Sequence, residues 1–290
     1  MSVAFRRLCL LSPALLVILL LVGVPLCLMA WVSLLDKGGS AGVDWSSAPS
    51  AANYVRLVWE EDFDGTMILN TGYLLIFLRS VALAAVTTVL SLALGLPVAL
   101  WMASLSRTGR DVMLLLITIP FWTNLLVRNY AWLIILREDG WVSQFVNMLS
   151  PWPVQLLYND AAVAIGLTYS FLPFTILPLY TVFEKFDWRL LEAAHDLGAT
   201  RRRALRRVVL PIATPGIVAG ALLVFIPCLG AFVTPALLGG GKTLMLGNII
   251  QMQFGASRNW PFGATLAVVL LAIMLVVMTA MALWRNRRTA

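Results

Sequence analysis

Charge is scarce in these 290 residues: 12% are Asp, Glu, Lys or Arg, against 60% hydrophobic. Soluble domains carry about 25% charged residues, so this balance excludes an ordinary water-soluble domain. Histidine occurs once, at His195, and the three cysteines, Cys9, Cys27 and Cys228, all sit inside apolar runs. Odd-numbered thiols in such places argue against a disulfide framework, and a single histidine leaves no His/Cys cluster with metal spacing. A G-x-x-x-x-G-K-[ST] phosphate loop is also missing. Gly239, Gly240, Gly241 and Lys242 have its letters without its pattern. The chain is therefore expected to carry no nucleotide-binding or catalytic site and no cofactor of its own.

What remains is apolar, with a mean hydropathy of +0.88. Crossing a bilayer core takes about 20 consecutive apolar residues. Six runs qualify, at about 9–35, 76–103, 112–136, 161–183, 212–237 and 262–284. Each is expected to be a helix, because backbone groups in lipid must be satisfied within their own segment. The first is too long for a signal-peptide core and lacks a convincing small-residue cleavage site, so it reads as a retained span. Within the spans there is no Asp or Glu. Secondary transporters normally couple to protons or sodium through such groups, so that alternative is disfavoured.

Basic residues set the orientation. With the N-terminus inside, the inner segments hold fourteen of the 21 Lys and Arg, among them Arg6, Arg107, Lys185, Arg201 and Arg285. Acids such as Asp44, Glu60, Asp62 and Asp160 fall outside. Topology thus explains the +7 charge without a nucleic-acid partner. The organisation is an N-terminal span with its outer segment (1–75), a core of five spans (76–284) and a short inner tail (285–290). Residues 36–75 open with Gly38, Gly39, Ser40 and Gly42, and Met67–Leu78 is read as a short surface helix. The 137–160 stretch, with Trp141, Trp152 and two prolines, is read as an outer surface or re-entrant piece. Trp31, Trp101, Trp260 and Trp284 near span ends read as interfacial anchors. Prolines such as Pro120 and Pro227 read as kinks, with a gating hinge as the sharper alternative. Arg128 lies within the third run and is expected to snorkel toward the outer interface, a place on a solute path being the alternative.

The 184–211 segment is the one long polar connection with internal order. Leu190, Ala193, Ala194 and Leu197 recur at i, i+3, i+4, i+7, which predicts one apolar face on a short helix with Arg189, Glu192 and Asp196 opposite. Gly198 is placed to stop that helix in a left-handed turn. Thr200 can cap a second, basic helix expected to end at Pro211. An alanine-rich exposed face lets another backbone approach, which makes a contact surface. Glu192 and His195 have no nucleophile or metal beside them, so acid/base chemistry is not expected there.

These residues carry a resemblance. Glu192, Ala193, Ala194, Gly198, Leu210 and Pro211, with Val208 in an isoleucine place, match the E-A-A loop of permease subunits of bacterial binding-protein-dependent ABC importers. Shorter runs are similar to those of the spermidine/putrescine permeases: I-P-F-W-T-N (Ile119 to Asn124), E-K-F-D (Glu184 to Asp187), G-N-I-I-Q-M-Q-F (Gly247 to Phe254) and N-W-P-F-G (Asn259 to Gly263). The resemblance implies an all-α polytopic membrane protein with six spans of the type I importer permease fold. It implies a cytoplasmic coupling helix between spans four and five, in which Leu190, Glu192, Ala193, Ala194, Leu197, Gly198 and Pro211 meet an ATPase. The implied partners are a dimer of ABC ATPase subunits holding ATP and Mg, a second homologous permease subunit and a periplasmic solute-binding protein. The implied place is the bacterial inner membrane, and the implied cargo a polyamine. Iron complexes, phosphonates and other amines remain open as cargo. Trp122, Asn124, Tyr169 and Thr175 are the candidates for a lining that would attract a cation by aromatic faces and dipoles.

Overall fold

The computed structural model describes residues 3–39, 42–61, 64 and 66–289, and of these the side chains from 11 to 281, except that of Glu61, and at 283. Ser40 and Asp62 lie outside the described residues, as do the side chains of Arg6, Cys9, Trp284 and Arg285. In chain order, the first run is α1 (Val3–Ile18), a π turn (Leu19–Gly23) and α2 (Val24–Val32). Next come α3 (Ala52–Val58), β1 (Trp59–Glu61), β2 (Met67–Leu69) and α4 (Thr71–Ser104). Then follow α5 (Arg107–Trp122), α6 (Leu125–Leu136), α7 (Trp141–Leu149) and α8 (Asp160–Glu184). The polar connection holds α9 (Arg189–Asp196) and α10 (Arg201–Ala204), and a second π turn (Leu205–Val209) leads into α11 (Leu210–Leu229). The chain closes with α12 (Val233–Leu238), α13 (Leu246–Phe254) and α14 (Trp260–Thr289).

Among the described residues, five helical segments are long and apolar enough to cross a membrane, and the bent pair α5 with α6–α7 makes a sixth if it is counted as one broken span. The third run is thus not the straight helix expected over 112–136: its parts meet at 93°. Thr123 and Asn124 are extended, the Thr123 hydroxyl donates to the Pro120 carbonyl at 2.7 Å, and the Asn124 side chain accepts from the Leu126 N–H at 2.8 Å. A cap inside an apolar run starts a new helix in a new direction. The fifth run likewise stops at Leu229, earlier than 237, and resumes as α12. Met67–Leu69 is a strand paired antiparallel with β1, and residues from Thr71 are the first turns of α4, in place of the separate surface helix.

Nor does Pro211 end the basic helix, because Arg201–Leu229 is one continuous rod. Proline lacks an N–H and its ring crowds the carbonyl four residues back. That carbonyl, at Arg207, falls in the wide π turn, and the same arrangement precedes Pro25, whose turn ends at Gly23. A wide turn makes room for the ring, so the helix runs on.

The described residues form two compact units. The first contains residues up to 75 with 249–276. There Thr265 Oγ1 donates to the Ser33 carbonyl at 3.1 Å, and Asn53 donates to the Ser33 and Leu35 carbonyls. Phe262 packs on Tyr73 with ring centres 5.3 Å apart and receives Arg56 on its face at 5.5 Å.

The second unit contains 76–248 with the residues after 276, and in its core α8 packs on α11 and on the last turns of α4. Ala99, Met102, Ile176, Leu179, Phe183 and Ala213 are buried there. Glycines let the rods approach. A Cβ on Gly220 would lie 3.2 Å from the Thr175 Cα, and one on Gly95 would lie 2.9 Å from the Thr175 Cγ2. Small residues at crossings are the usual way for membrane helices to gain close packing. Gly220→Leu is therefore expected to cost on the order of 1–3 kcal/mol or more through overpacking. Its melting midpoint, read by size-exclusion after heating, should fall well below that of Gly220→Ala; equal midpoints would contradict this packing. At the start of this unit's α4 portion, Arg79 pairs with Asp160 at 3.6 Å and donates to the Lys242 carbonyl at 3.0 Å. The Gly239–Lys242 run is thus a tethered turn, with Gly240 and Gly241 at positive φ.

Candidate functional site

The segment after α8 is built almost wholly from local bonds. The Asp187 carboxylate accepts from the Arg189 N–H at 3.0 Å and its carbonyl from the Leu190 N–H at 3.2 Å, which starts α9. At the other end Gly198 has φ +79°. The Ala199 N–H reaches the Ala194 carbonyl at 3.0 Å and the Gly198 N–H the His195 carbonyl at 2.9 Å. That pair of bonds is the Schellman closure, which satisfies carbonyls left open at a helix end. Gly198 thus adopts the left-handed turn expected of it. His195 adds to the closure: its Nδ1 lies 3.0 Å from the Ala199 carbonyl, which can only accept, so the contact is a hydrogen bond in the tautomer that carries a proton on Nδ1. The Thr200 hydroxyl then accepts from the Arg203 N–H at 3.4 Å and opens α10.

The apolar stripe on α9 is divided differently from its expected single face. Leu190 (47% exposed), Ala193 and Leu197 (89% exposed) face outward, together with Glu192. Ala194 is half-buried beside Leu191, which packs on the Phe183–Val209 cluster. Leu191 lies outside the i, i+3, i+4, i+7 series, and with Trp188 at the start of the helix it seats α9 on that cluster. Leu197 falls just past the last helical turn, as the capping residue. Two leucines and an alanine are thus exposed on, or just past, a helix that is seated on one side.

A cavity of about 290 Å³ lies where α5 breaks from α6, beside α8 and the α11–α12 break. Phe121, Leu125, Arg128, Leu167, Ser170, Phe171, Phe174 and Gly230–Thr234 line it. None of the four expected path residues is on its wall. Trp122 ends α5 and is 89% exposed, Asn124 is the cap of α6, Tyr169 meets Trp132 edge-on at 5.6 Å, and Thr175 is fully buried in the three-helix crossing. Each is one residue away from a wall residue: Phe121, Leu125, Ser170 and Phe174. Arg128, expected to reach for the outer interface, lines the cavity, with its Nε buried and without an acceptor among the described residues. No carboxylate is on the wall.

Residues 95–290 match the family described as binding-protein-dependent transport system inner membrane component. The chain belongs to that family. It is 39% identical over 239 residues, 82% of this chain and 86% of the relative, to the spermidine/putrescine transport system permease protein PotB of Escherichia coli (strain K12). Identity to the protein of the same name from Haemophilus influenzae is 41% over 218 residues, 73% of this chain and 76% of the relative. A chain in the crystal structure of a bacterial alginate ABC transporter with an alginate pentasaccharide-bound periplasmic protein superposes with a TM-score of 0.73. That likeness covers 98% of this chain and 95% of the other at 14% identity, and bears on the fold alone. The protein is therefore a multi-pass inner-membrane permease subunit of the type I fold. α9 lies inside the matched region, between its long helices.

Proposed function

We propose that this permease is one membrane subunit of an ATP-driven importer of linear polyamines such as spermidine and putrescine. The carrying observation is the 39% identity to a spermidine/putrescine permease across 82% of the chain. In this reading α9 docks through Leu190, Ala193 and Leu197 into an ATPase subunit that supplies ATP and Mg. A second permease completes the path, and a periplasmic binding protein delivers the solute. The apolar cavity, with Phe121, Phe171, Phe174 and Phe232 around it, supports a cation by ring faces worth about 0.5–2 kcal/mol each. Without a carboxylate on its wall, the counter-charge for the ammonium groups comes from the second permease. The measurement is uptake by vesicles holding every subunit, with labelled spermidine and putrescine. Saturable, ATP-dependent entry of at least one is expected, and no entry of either overturns the cargo assignment.

A second reading rests on Arg128. A guanidinium facing a cavity repels a cation and welcomes an anionic group, so a solute carrying a carboxylate or phosphonate is the rival cargo. A labelled carboxylate or phosphonate in the same vesicles separates the two: it enters only in the second case.

Both termini and α9 lie on the cytoplasmic side in this proposal, supported by the fourteen of 21 basic residues gathered there. In a background without native cysteines, Trp45→Cys should react with an impermeant thiol reagent on intact cells and Arg201→Cys should not. Reaction at 201 from outside reverses the topology.

A further inference from the structure

Four arginines, Arg202, Arg203, Arg206 and Arg207, share a pocket of about 320 Å³ with Thr200 and nothing else. All four are exposed, and among the described residues none makes an ion pair. The arrangement is unfavourable as it stands. Four like charges are held within two turns at the start of a helix, the end whose backbone already carries positive partial charge. Beyond hydration and salt screening, such a cluster is stabilised by anions from outside the chain.

The pocket's position selects the anion. Its arginines occupy the first turns of Arg201–Leu229, a 29-residue rod that is apolar beyond them. Just past Arg207, the exposed residues are Pro211, Ile212 and Pro215. Guanidinium groups succeeded along the same rod by bare apolar surface match a molecule with an anionic head and a hydrocarbon tail. Guanidinium forks fit phosphate oxygens in pairs, and basic pockets at the inner ends of spans suit lipid headgroups. An acidic protein surface would explain the arginines but not the apolar continuation.

We propose that this pocket binds the phosphate of an anionic phospholipid of the inner leaflet, and that the bound headgroup steadies the base of α11 beside α9. The proposal rests on the cytoplasmic orientation given above, which the thiol-labelling experiment tests separately. Its own test is lipid retention by the complete transporter complex in detergent, which does not depend on orientation. Native mass spectrometry should find phosphatidylglycerol or cardiolipin retained by the wild type, less of it on Arg202→Gln/Arg203→Gln and Arg206→Gln/Arg207→Gln, and more on the matching Lys pairs. Phosphatidylethanolamine should be unaffected. In vesicles of phosphatidylethanolamine alone, wild-type uptake should drop by roughly threefold relative to vesicles with a quarter of phosphatidylglycerol, while the Gln pairs should be low in both. Equal lipid retention by wild type and Gln pairs overturns the proposal. So does loss of the ATPase from the Gln pairs with lipid unchanged, which would assign the pocket to an acidic protein surface. Rescue of lipid-poor vesicles by inorganic phosphate also overturns it, in favour of the free ion.

Discussion

Gly198→Val is expected to reach the membrane in near wild-type amounts and to lose about tenfold of its ATP-driven uptake, because a left-handed conformation costs an L residue roughly 1–2 kcal/mol. The backbone there has φ +79°, and a Cβ would meet no atom within 4 Å. Crowding is therefore not the problem. The strain is conformational, worst for a β-branched side chain, and it is relieved by opening the Schellman closure. Opening it frees the Ala194 and His195 carbonyls and moves Leu197, one of the two exposed leucines. Gly198→Asn enters the left-handed region more readily and should retain most uptake. Uptake, ATP hydrolysis and co-purification of the ATPase, measured on one preparation, separate coupling from assembly. A valine variant that transports normally would sink the docking role of this turn.

Leu197→Asp is expected to weaken ATPase association by about thirtyfold, the effect of removing a contact worth about 2 kcal/mol at an interface. The side chain is 89% exposed, so the permease alone should be unharmed, and its melting midpoint should not move. Leu190→Asp should act in the same direction, more weakly, since that side chain is already half covered at 47% exposure. Binding of the purified ATPase to permease in nanodiscs is the direct measurement. Unchanged affinity in the double variant would move the ATPase contact elsewhere.

The turn at Gly198 and the short helix before it were readable because polar and apolar residues alternate there with a helical period. The long spans were readable for the opposite reason: they are apolar throughout. That same uniformity hides which side of each span faces a neighbour. Trp122, Asn124, Tyr169 and Thr175 fall in the turns that meet the cavity, yet each is one residue off its wall. Within an all-apolar helix, hydropathy carries no phase, and one residue is about 100° of rotation. The break after Trp122 was hidden similarly. Pro120 reads as a kink like any other proline, whereas the change of direction comes from Thr123 and Asn124 turning extended and Asn124 capping α6. Pro211 misled in the other direction, since the wide turn before it lets the helix continue. Arg128 was visible as an oddity, but which wall it joins depends on helices distant in sequence.

The shape of residues 187–200, the segment proposed to dock, bears on protein engineering. Asp187 starts the helix, His195 and Ala199 close it, Gly198 bends it and Thr200 begins the next, each through a partner a few residues away. Apart from the seats taken by Trp188 and Leu191 on the buried cluster and the bond from Arg203 to Thr200, the form of residues 187–200 is written within those residues. A stretch whose fold is so self-contained is portable. Grafted between matching helices of a different importer, it should keep its form and carry its choice of motor with it.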